Sequence, residues 1–258
     1  MTDRKQEGLL AQARHRLNNI VAVRHAAYCM RIFRKSLGTY DCECTVCHYV
    51  GRFRADGHPP RYNAECPRCN SRERHRLFCL AMERYPLFSG NEDTLHFAAE
   101  ECLRDKIRAK SKTYRTADLE PGVGQIVLNI EKIDLPDNSV DVVIANHVLE
   151  HVNDAAALAE LYRILRDGGR LLVSFPIVEG WARTYEDPEV RTPTQRDLHF
   201  GQFDHIRYYG RDARERIRNA GFTLVEAVCD AKEAVKYSIL RGEVLFICLK
   251  GNSLIAAA

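Results

Sequence analysis

The sequence predicts an α/β protein with a mostly parallel sheet, preceded by a small metal-binding module. Two observations carry this reading. Between Thr94 and about Phe175, short apolar runs alternate with helical patterns, as strands joined by crossover helices do. Ahead of that stretch, two Cys-x-x-Cys pairs stand in a turn-rich segment with no sustained periodicity. The 258 residues suffice for one α/β domain and a smaller unit. We divide them into 1–40, a basic helical segment, 41–90, the Cys-rich module with a linking helix, and 91–258, the α/β domain.

The expected strands of the domain are Thr94–Ala98, Thr113–Ala117, Gln125–Leu128, Val140–Ile144 and Arg170–Phe175. The clearest helix is Ala155–Arg166, with Asp167-Gly168-Gly169 as its C-terminal stop. A long polar segment, Pro176–Gly210, comes next, then a helix at Arg211–Ala220 and strands at Phe222–Val228 and Glu243–Leu249. The last two strands leave no room between them for a long crossover helix, so an antiparallel strand is expected at one sheet edge. Ser71 to about Tyr85 reads as a helix with Asn70 or Ser71 as its N-cap.

Composition excludes several classes. Hydrophobic content of 45% and charged content of 28% are those of a globular chain. No apolar run approaches the roughly 20 residues that span a bilayer. Residues 1–10 lack a signal-peptide core, and a cytoplasmic location is expected. The net charge of +3 does not by itself argue for nucleic acid. Residues 1–40 carry eight Lys and Arg against Asp3 and Glu7, a balance of +6, so the rest carries −3. Leu17, Ile20, Val21, Val23, Tyr28, Ile32 and Phe33 loosely follow a helical stripe, which reads as a solvated basic helix. The alternative is a surface for anionic lipid (peripheral membrane contact), RNA or a phosphorylated glycan.

Four of the ten cysteines form a metal pattern. Cys44-Thr-Val-Cys47 and Cys66-Pro-Arg-Cys69 are separated by 18 residues. Each two-residue gap lets one tight turn present two sulfurs, and four thiolates close a tetrahedral Zn²⁺ site with no open position. Such a zinc is structural and orders a segment too poor in apolar residues to fold alone. Cys42 could compete with Cys44 as a ligand. Cys29, Cys79, Cys102, Cys229 and Cys248 read as small core residues. Arg72, Arg74 and Arg76 form a solvated face or hold an anionic group in a cleft, and both readings stay open.

Two segments carry a family resemblance. Leu135-Pro-Asp-Asn-Ser-Val-Asp141 leads through Asn146-His147-Val-Leu-Glu150-His151-Val152 to Leu161-Tyr-Arg-Ile-Leu-Arg-Asp-Gly-Gly169. In that order they resemble the type 11 group of class I S-adenosylmethionine-dependent methyltransferases, over roughly residues 94–250. The resemblance implies a Rossmann-like sheet, mostly parallel with one antiparallel edge strand, and S-adenosylmethionine as methyl donor. Leu95–Glu100, Tyr185–Pro188, Phe200–Gly210 and the Cys66–Arg76 segment are similar to one subgroup with an N-terminal zinc-ribbon-like module. Its members are bacterial and often encoded beside glycan-assembly enzymes, which implies a sugar or glycan acceptor.

The resemblance also assigns residues. The glycine-rich loop expected after the first strand is replaced by His96-Phe-Ala-Ala-Glu100, so His96, Ala98, Ala99 and Glu100 take its place at the cofactor. Asp118 is placed to accept from the ribose hydroxyls, with Glu120 as fallback. Asn129 and Ile130 stand where adenine is bound, and Asn146 and His147 open the loop beside the methyl donor.

Methyl transfer needs the nucleophile held in line with the methyl group and, for a hydroxyl, a base. His147, His151 and His205 suit that task, with Asp204 as partner and Arg207 or Tyr208 orienting the acceptor. His147 to His151 also fits the HxxEH pattern of inverted zinc peptidases, but the surrounding alternation of strands and helices fits a methyltransferase. Small-RNA methyltransferases of this fold use a similar cluster plus a later His for Mg²⁺, and His205 could supply it. A metal-free role is favoured. The leading function is O-methylation of a sugar or glycan. The competing ones are an RNA methyltransferase whose zinc module binds nucleic acid, and a non-catalytic scaffold that retains the cofactor site.

Overall fold

The computed structural model describes residues 22–57 and 59–251. Helix α1 covers residues 22–36 and is exposed along nearly its whole length, including Val23, Tyr28, Met30 and Phe33. Of the basic helical segment expected at residues 1–40, residues 1–21, with Leu17, Ile20 and Val21, lie outside the described residues. Two antiparallel hairpins follow: β1 (Asp41–Glu43) with β2 (Val50–Arg52), and β3 (Arg54–Asp56) with β4 (Arg61–Glu65). Helix α2 (Glu73–Arg84) leads into the sheet.

The sheet has seven strands. In chain order they are β5 (Asp93–Phe97), β6 (Thr113–Asp118), β7 (Ile126–Val127), β8 (Val140–Ile144), β9 (Leu165–Val173), β12 (Thr223–Ala227) and β13 (Leu245–Leu249). Their spatial order is β12-β13-β9-β8-β5-β6-β7. The chain runs outward from β5 to β7, returns to β8 on the other side of β5, and builds outward again. Every pairing from β9 to β7 is parallel, and β13 is antiparallel to both neighbours. This is the mostly parallel sheet that the alternating pattern implies, in the Rossmann-like form that the family resemblance implies. The antiparallel strand is not the edge itself: β13 slots between β9 and the edge strand β12. The short helix α7 (Ala231–Lys236) lies between β12 and β13 in the chain.

Alternation along each strand feeds two cores. Leu95, Val143, Leu171, Val173 and Phe246 pack on one face with α4 (Asp154–Ile164) and α6 (Ala213–Asn219). Val142, Ile144, Leu172, Leu245 and Ile247 pack on the other with α2 and with α3 (Glu101–Arg108). That second core is continuous with Cys42, Cys44, Val46, Phe53 and Cys66 of the Cys-rich segment.

Two local expectations are corrected. Asp167-Gly168-Gly169 does not cap α4, which ends at Ile164 under an Asn153 N-cap, but lies inside β9. Glycine is needed there for space, because a Cβ on Gly169 would stand 2.8 Å from the Arg166 carbonyl oxygen. The N-cap of α2 is Arg72, whose backbone N–H donates to His75 Nδ1 at 3.0 Å. Asn70 and Ser71 serve the cysteine cluster instead. Between β9 and β12, the Pro176–Gly210 segment folds as a small hairpin, β10 (Tyr185–Glu186) with β11 (Arg207–Tyr208), around helix α5 (Pro193–Phe200).

Candidate functional site

In an open α/β sheet the ligand crevice lies beyond the carboxyl ends of the strands where the order reverses. Here that point is between β5 and β8, so the loops Ala98–Glu100 and Asn146–His147 form its walls. Each wall holds a non-glycine residue in left-handed backbone, Ala98 at φ 45° and His147 at φ 52°. Such a conformation costs about 1–2 kcal/mol per residue and concentrates at functional loops. Ala98 thus makes the turn without the expected glycine, held by its N–H on the Ala117 carbonyl at 2.9 Å, and stays exposed.

The remaining cofactor candidates distribute as follows. Asp118 ends β6, partly exposed, and accepts the Glu120 N–H on Oδ1 at 3.0 Å. Asn129 is exposed, and its side-chain oxygen accepts the Glu131 N–H at 2.9 Å, which leaves it one lone pair. The Ile130 side chain belongs to the core. Asn146 is buried and accepts from the Ser174 hydroxyl. His96 has no exposed surface. Its Nδ1 meets the Tyr114 hydroxyl at 2.9 Å and its Nε2 meets Glu100 Oε2 at 3.0 Å, so it reaches a ligand only through Glu100.

Glu100 is the hub of a buried network that the sequence does not foretell. Helix α2 brings His75 Nε2 to 3.4 Å and Arg74 Nε to 3.7 Å from Glu100 Oε1. These three atoms are buried without a well-aligned hydrogen bond. Burial alone raises the Glu100 carboxyl, but His75 and His96 outweigh it and hold it well below the usual carboxylate range. Burial holds His75 below its ordinary value. Burial thus disfavours its charged form, and its Nδ1 accepts from the Arg72 N–H.

The sign of the pH effect follows. Below about pH 6.5 the unfolded chain protonates His75 while the folded chain resists, so acidification favours unfolding. Glu100, with a depressed folded value, adds stability that is present above about pH 4.3 and lost on going lower. Thermal unfolding midpoints should fall from pH 7 to 5, and His75→Gln should flatten that slope. An equal slope in the variant would place the effect elsewhere.

The second cluster follows β8. Glu150 is almost completely buried, and both its carboxylate oxygens lack an aligned partner. His147 Nδ1 lies 3.1 Å from its Oε1. His151 Nδ1 lies 3.2 Å from Asp204 Oδ2, and the His151 and His205 rings meet edge-on at 4.7 Å. His205 Nδ1 donates to the Phe200 carbonyl at the end of α5, at 3.1 Å. That helix is fixed by a Thr192/Gln195 capping box, Pro193 in its first turn and Gly201 as left-handed cap. Asp204 therefore partners His151, not His205. Arg207 does not face an acceptor. It is buried, donating to the Leu149 and Val152 carbonyls, and so holds the turn that bears Glu150 and His151. The HxxEH spacing is the sequence signal that reaches Glu150. His75 falls inside the Cys66–Arg76 segment that carries the subgroup resemblance, but nothing there points to Glu100.

The four cysteines converge as expected. His48 and Asn70, each following the second cysteine of its pair, take left-handed backbone, and Cys44 and Cys66 accept the closing N–H bonds from them. Cys44 Sγ lies 3.6 Å from Cys69 Sγ, and Cys47 Sγ lies 3.7 Å from Cys66 Sγ. A tetrahedral ion with bonds of about 2.3 Å separates its sulfurs by about 3.8 Å, so the set fits Zn²⁺. A disulfide, at about 2.05 Å, it does not fit. Cys42 is buried outside the group, with its thiol near the Tyr40 carbonyl. Cys29 is exposed on α1 rather than in a core, and Cys102 meets His75 Nδ1 at 3.2 Å. Of the three arginines, Arg72 pairs with Asp56, Arg74 faces Glu100 and Arg76 is wholly buried.

The crevice walls fall within a match to known proteins. Residues 96–173 match a methyltransferase domain. A 68-residue segment is 38% identical to the ubiquinone/menaquinone biosynthesis C-methyltransferase of Escherichia coli, over 25% of this chain and 27% of that protein. A 77-residue segment is 42% identical to a 37.1 kDa protein of unassigned function in a Streptomyces fradiae transposon, over 30% of this chain and 22% of that protein. The matches thus span about a quarter of those relatives' length. Among solved structures, the S-adenosylmethionine-dependent methyltransferase of Mesorhizobium loti aligns at 14% identity, over 62% of this chain and 90% of that chain, with TM-score 0.44. The 1,6-didemethyltoxoflavin-N1-methyltransferase of Burkholderia thailandensis, bound to S-adenosylhomocysteine, aligns at 16% identity over 62% and 72%, with TM-score 0.43. Among the described residues no helix is long and apolar enough to cross a membrane.

Proposed function

We propose that this chain is an S-adenosylmethionine-dependent methyltransferase acting on a hydroxyl of a sugar or glycan. One observation carries the reading: the methyltransferase match spans both walls of the crevice, Ala98–Glu100 and Asn146–His147. The donor supplies an electrophilic methyl group on a sulfonium. Asp118 accepts from the ribose hydroxyls in this reading, which its partial exposure at the same sheet edge as Ala98 supports. His151 and His205 stand at the acceptor end, each with Nδ1 engaged and Nε2 left as its lone-pair nitrogen. Exposed Trp181 and Phe203, the latter beside Asp204, offer flat faces of the kind that sugars pack on. The four cysteines hold a structural zinc, which suits a reducing, cytoplasmic setting.

Calorimetry with S-adenosylmethionine tests the reading. Asp118→Ala should weaken binding at least tenfold, since a charged acceptor bond contributes about 1.5–3 kcal/mol. His205→Ala should bind the cofactor normally and lose most turnover. Absence of binding by the unaltered protein at millimolar cofactor would overturn the reading, and binding without turnover on any acceptor would leave the non-catalytic scaffold.

A further inference from the structure

We infer that Glu150, His151 and His205 form a binding site for a divalent transition-metal ion, distinct from the four-cysteine site. One ligand atom from each residue lies within 4.8 Å of the others. Ligands about 2.1 Å from one ion stand about 3.0–3.4 Å apart in cis or tetrahedral positions, so side-chain shifts of at most about 1–2 Å close the set. Two further observations point to a ligand. Glu150 is buried to 1% exposure, neither oxygen has a well-aligned hydrogen bond and only His147 Nδ1, 3.1 Å from Oε1, stands against it, a costly state for a carboxylate that a cation would relieve. Each imidazole is also held on its other nitrogen, His151 by the Asp204 carboxylate and His205 by the Phe200 carbonyl. Holding Nδ1 in this way leaves Nε2 free to ligate, the arrangement that orients metal-bound histidines.

The donor set selects the ion. Two imidazoles and one carboxylate suit Mn²⁺, Fe²⁺, Co²⁺ or Zn²⁺ better than Mg²⁺, which prefers an all-oxygen shell. Three protein ligands leave coordination positions open, unlike the closed four-sulfur site. The consequence for catalysis rests on the methyltransferase reading: an ion there gives the acceptor hydroxyl a place to bind. The metal site itself does not depend on that reading.

The test is Mn²⁺ uptake by the zinc-loaded full-length protein, followed through the electron paramagnetic resonance signal of the free ion. The expected result is one Mn²⁺ per chain, with affinity reduced at least tenfold in His151→Ala and in His205→Ala. Asp204→Asn alters a half-exposed residue and should weaken binding tenfold or more while the unfolding midpoint stays unchanged. No uptake by the unaltered protein at millimolar Mn²⁺, or equal uptake by the folded variants, overturns the site. Cofactor calorimetry on the same samples separates the two proposals. Cofactor binding without Mn²⁺ uptake removes only the metal, and Mn²⁺ uptake without cofactor binding removes only methyl transfer.

Discussion

Replacing Cys66 with Ser, or stripping zinc with a chelator, should unfold far more than two hairpins. The Cys-rich segment shares one apolar core with α2 and the sheet, in which Cys44, Phe53 and Cys66 sit beside Leu77, Val142 and Ile247. Ser71 ties the metal thiols to the start of α2, its hydroxyl 3.2 Å from Cys44 Sγ. Structural zinc sites contribute on the order of 10 kcal/mol in small domains. Losing even half of that lowers the unfolding midpoint of a domain this size by roughly 10–20 °C. Cys42→Ser provides the control, because Cys42 is buried in the same core yet outside the four-thiol group. It should keep one zinc per chain and most of the stability. If Cys66→Ser also retained one equivalent of zinc and its unfolding midpoint, the proposed metal site would be wrong.

The contrast between what the sequence foretells and what it hides has a physical pattern. Local chemistry is legible. The two Cys-x-x-Cys pairs, the strand Val140–Ile144 and the helix now seen at Asp154–Ile164 all announce themselves through spacing or period. Long-range pairing is not. Asp204 sits next to His205 in the chain, yet it faces His151, because the Phe200 carbonyl already takes the His205 nitrogen. The insertion of β13 inside the edge is a matter of three-dimensional register, and strand patterns look the same in either order. Arg74, His75 and Arg76 are consecutive on one helix, but helical geometry sends Arg74 and His75 to Glu100 and Arg76 to a buried cage of carbonyls. Nothing in a run of Arg and His distinguishes those two fates.

Arg76 is where that illegibility matters most, and its replacement carries the other large expected effect. The guanidinium is completely buried over the Phe53 ring, 4.8 Å away. It donates to four carbonyls: Ser71 at 2.7 Å, Ala64 at 2.8 Å, Tyr237 at 2.6 Å and Ser238 at 2.5 Å. Two belong to the segment that carries Cys66 and Cys69, and two follow α7, more than 160 residues later. Burial disfavours the charge, while Glu73 and the thiols of Cys44, Cys66 and Cys42 favour it. With the proposed Zn²⁺ bound, four thiolates would leave a net charge of −2, and a buried cation beside them would offset part of that excess. Arg76→Met removes the cation and leaves four carbonyls without donors, at about 1–3 kcal/mol each. A loss of at least about 4 kcal/mol is expected even after some are rehydrated. Arg76→Lys should recover little, because three donors on a point charge cannot serve a fork of four carbonyls. The decisive readout is amide hydrogen exchange, since a staple that joins two distant segments must loosen both when it is cut. Faster exchange around residues 64–71 together with 237–239 is the expected result, and loosening of one side alone would reduce Arg76 to local packing.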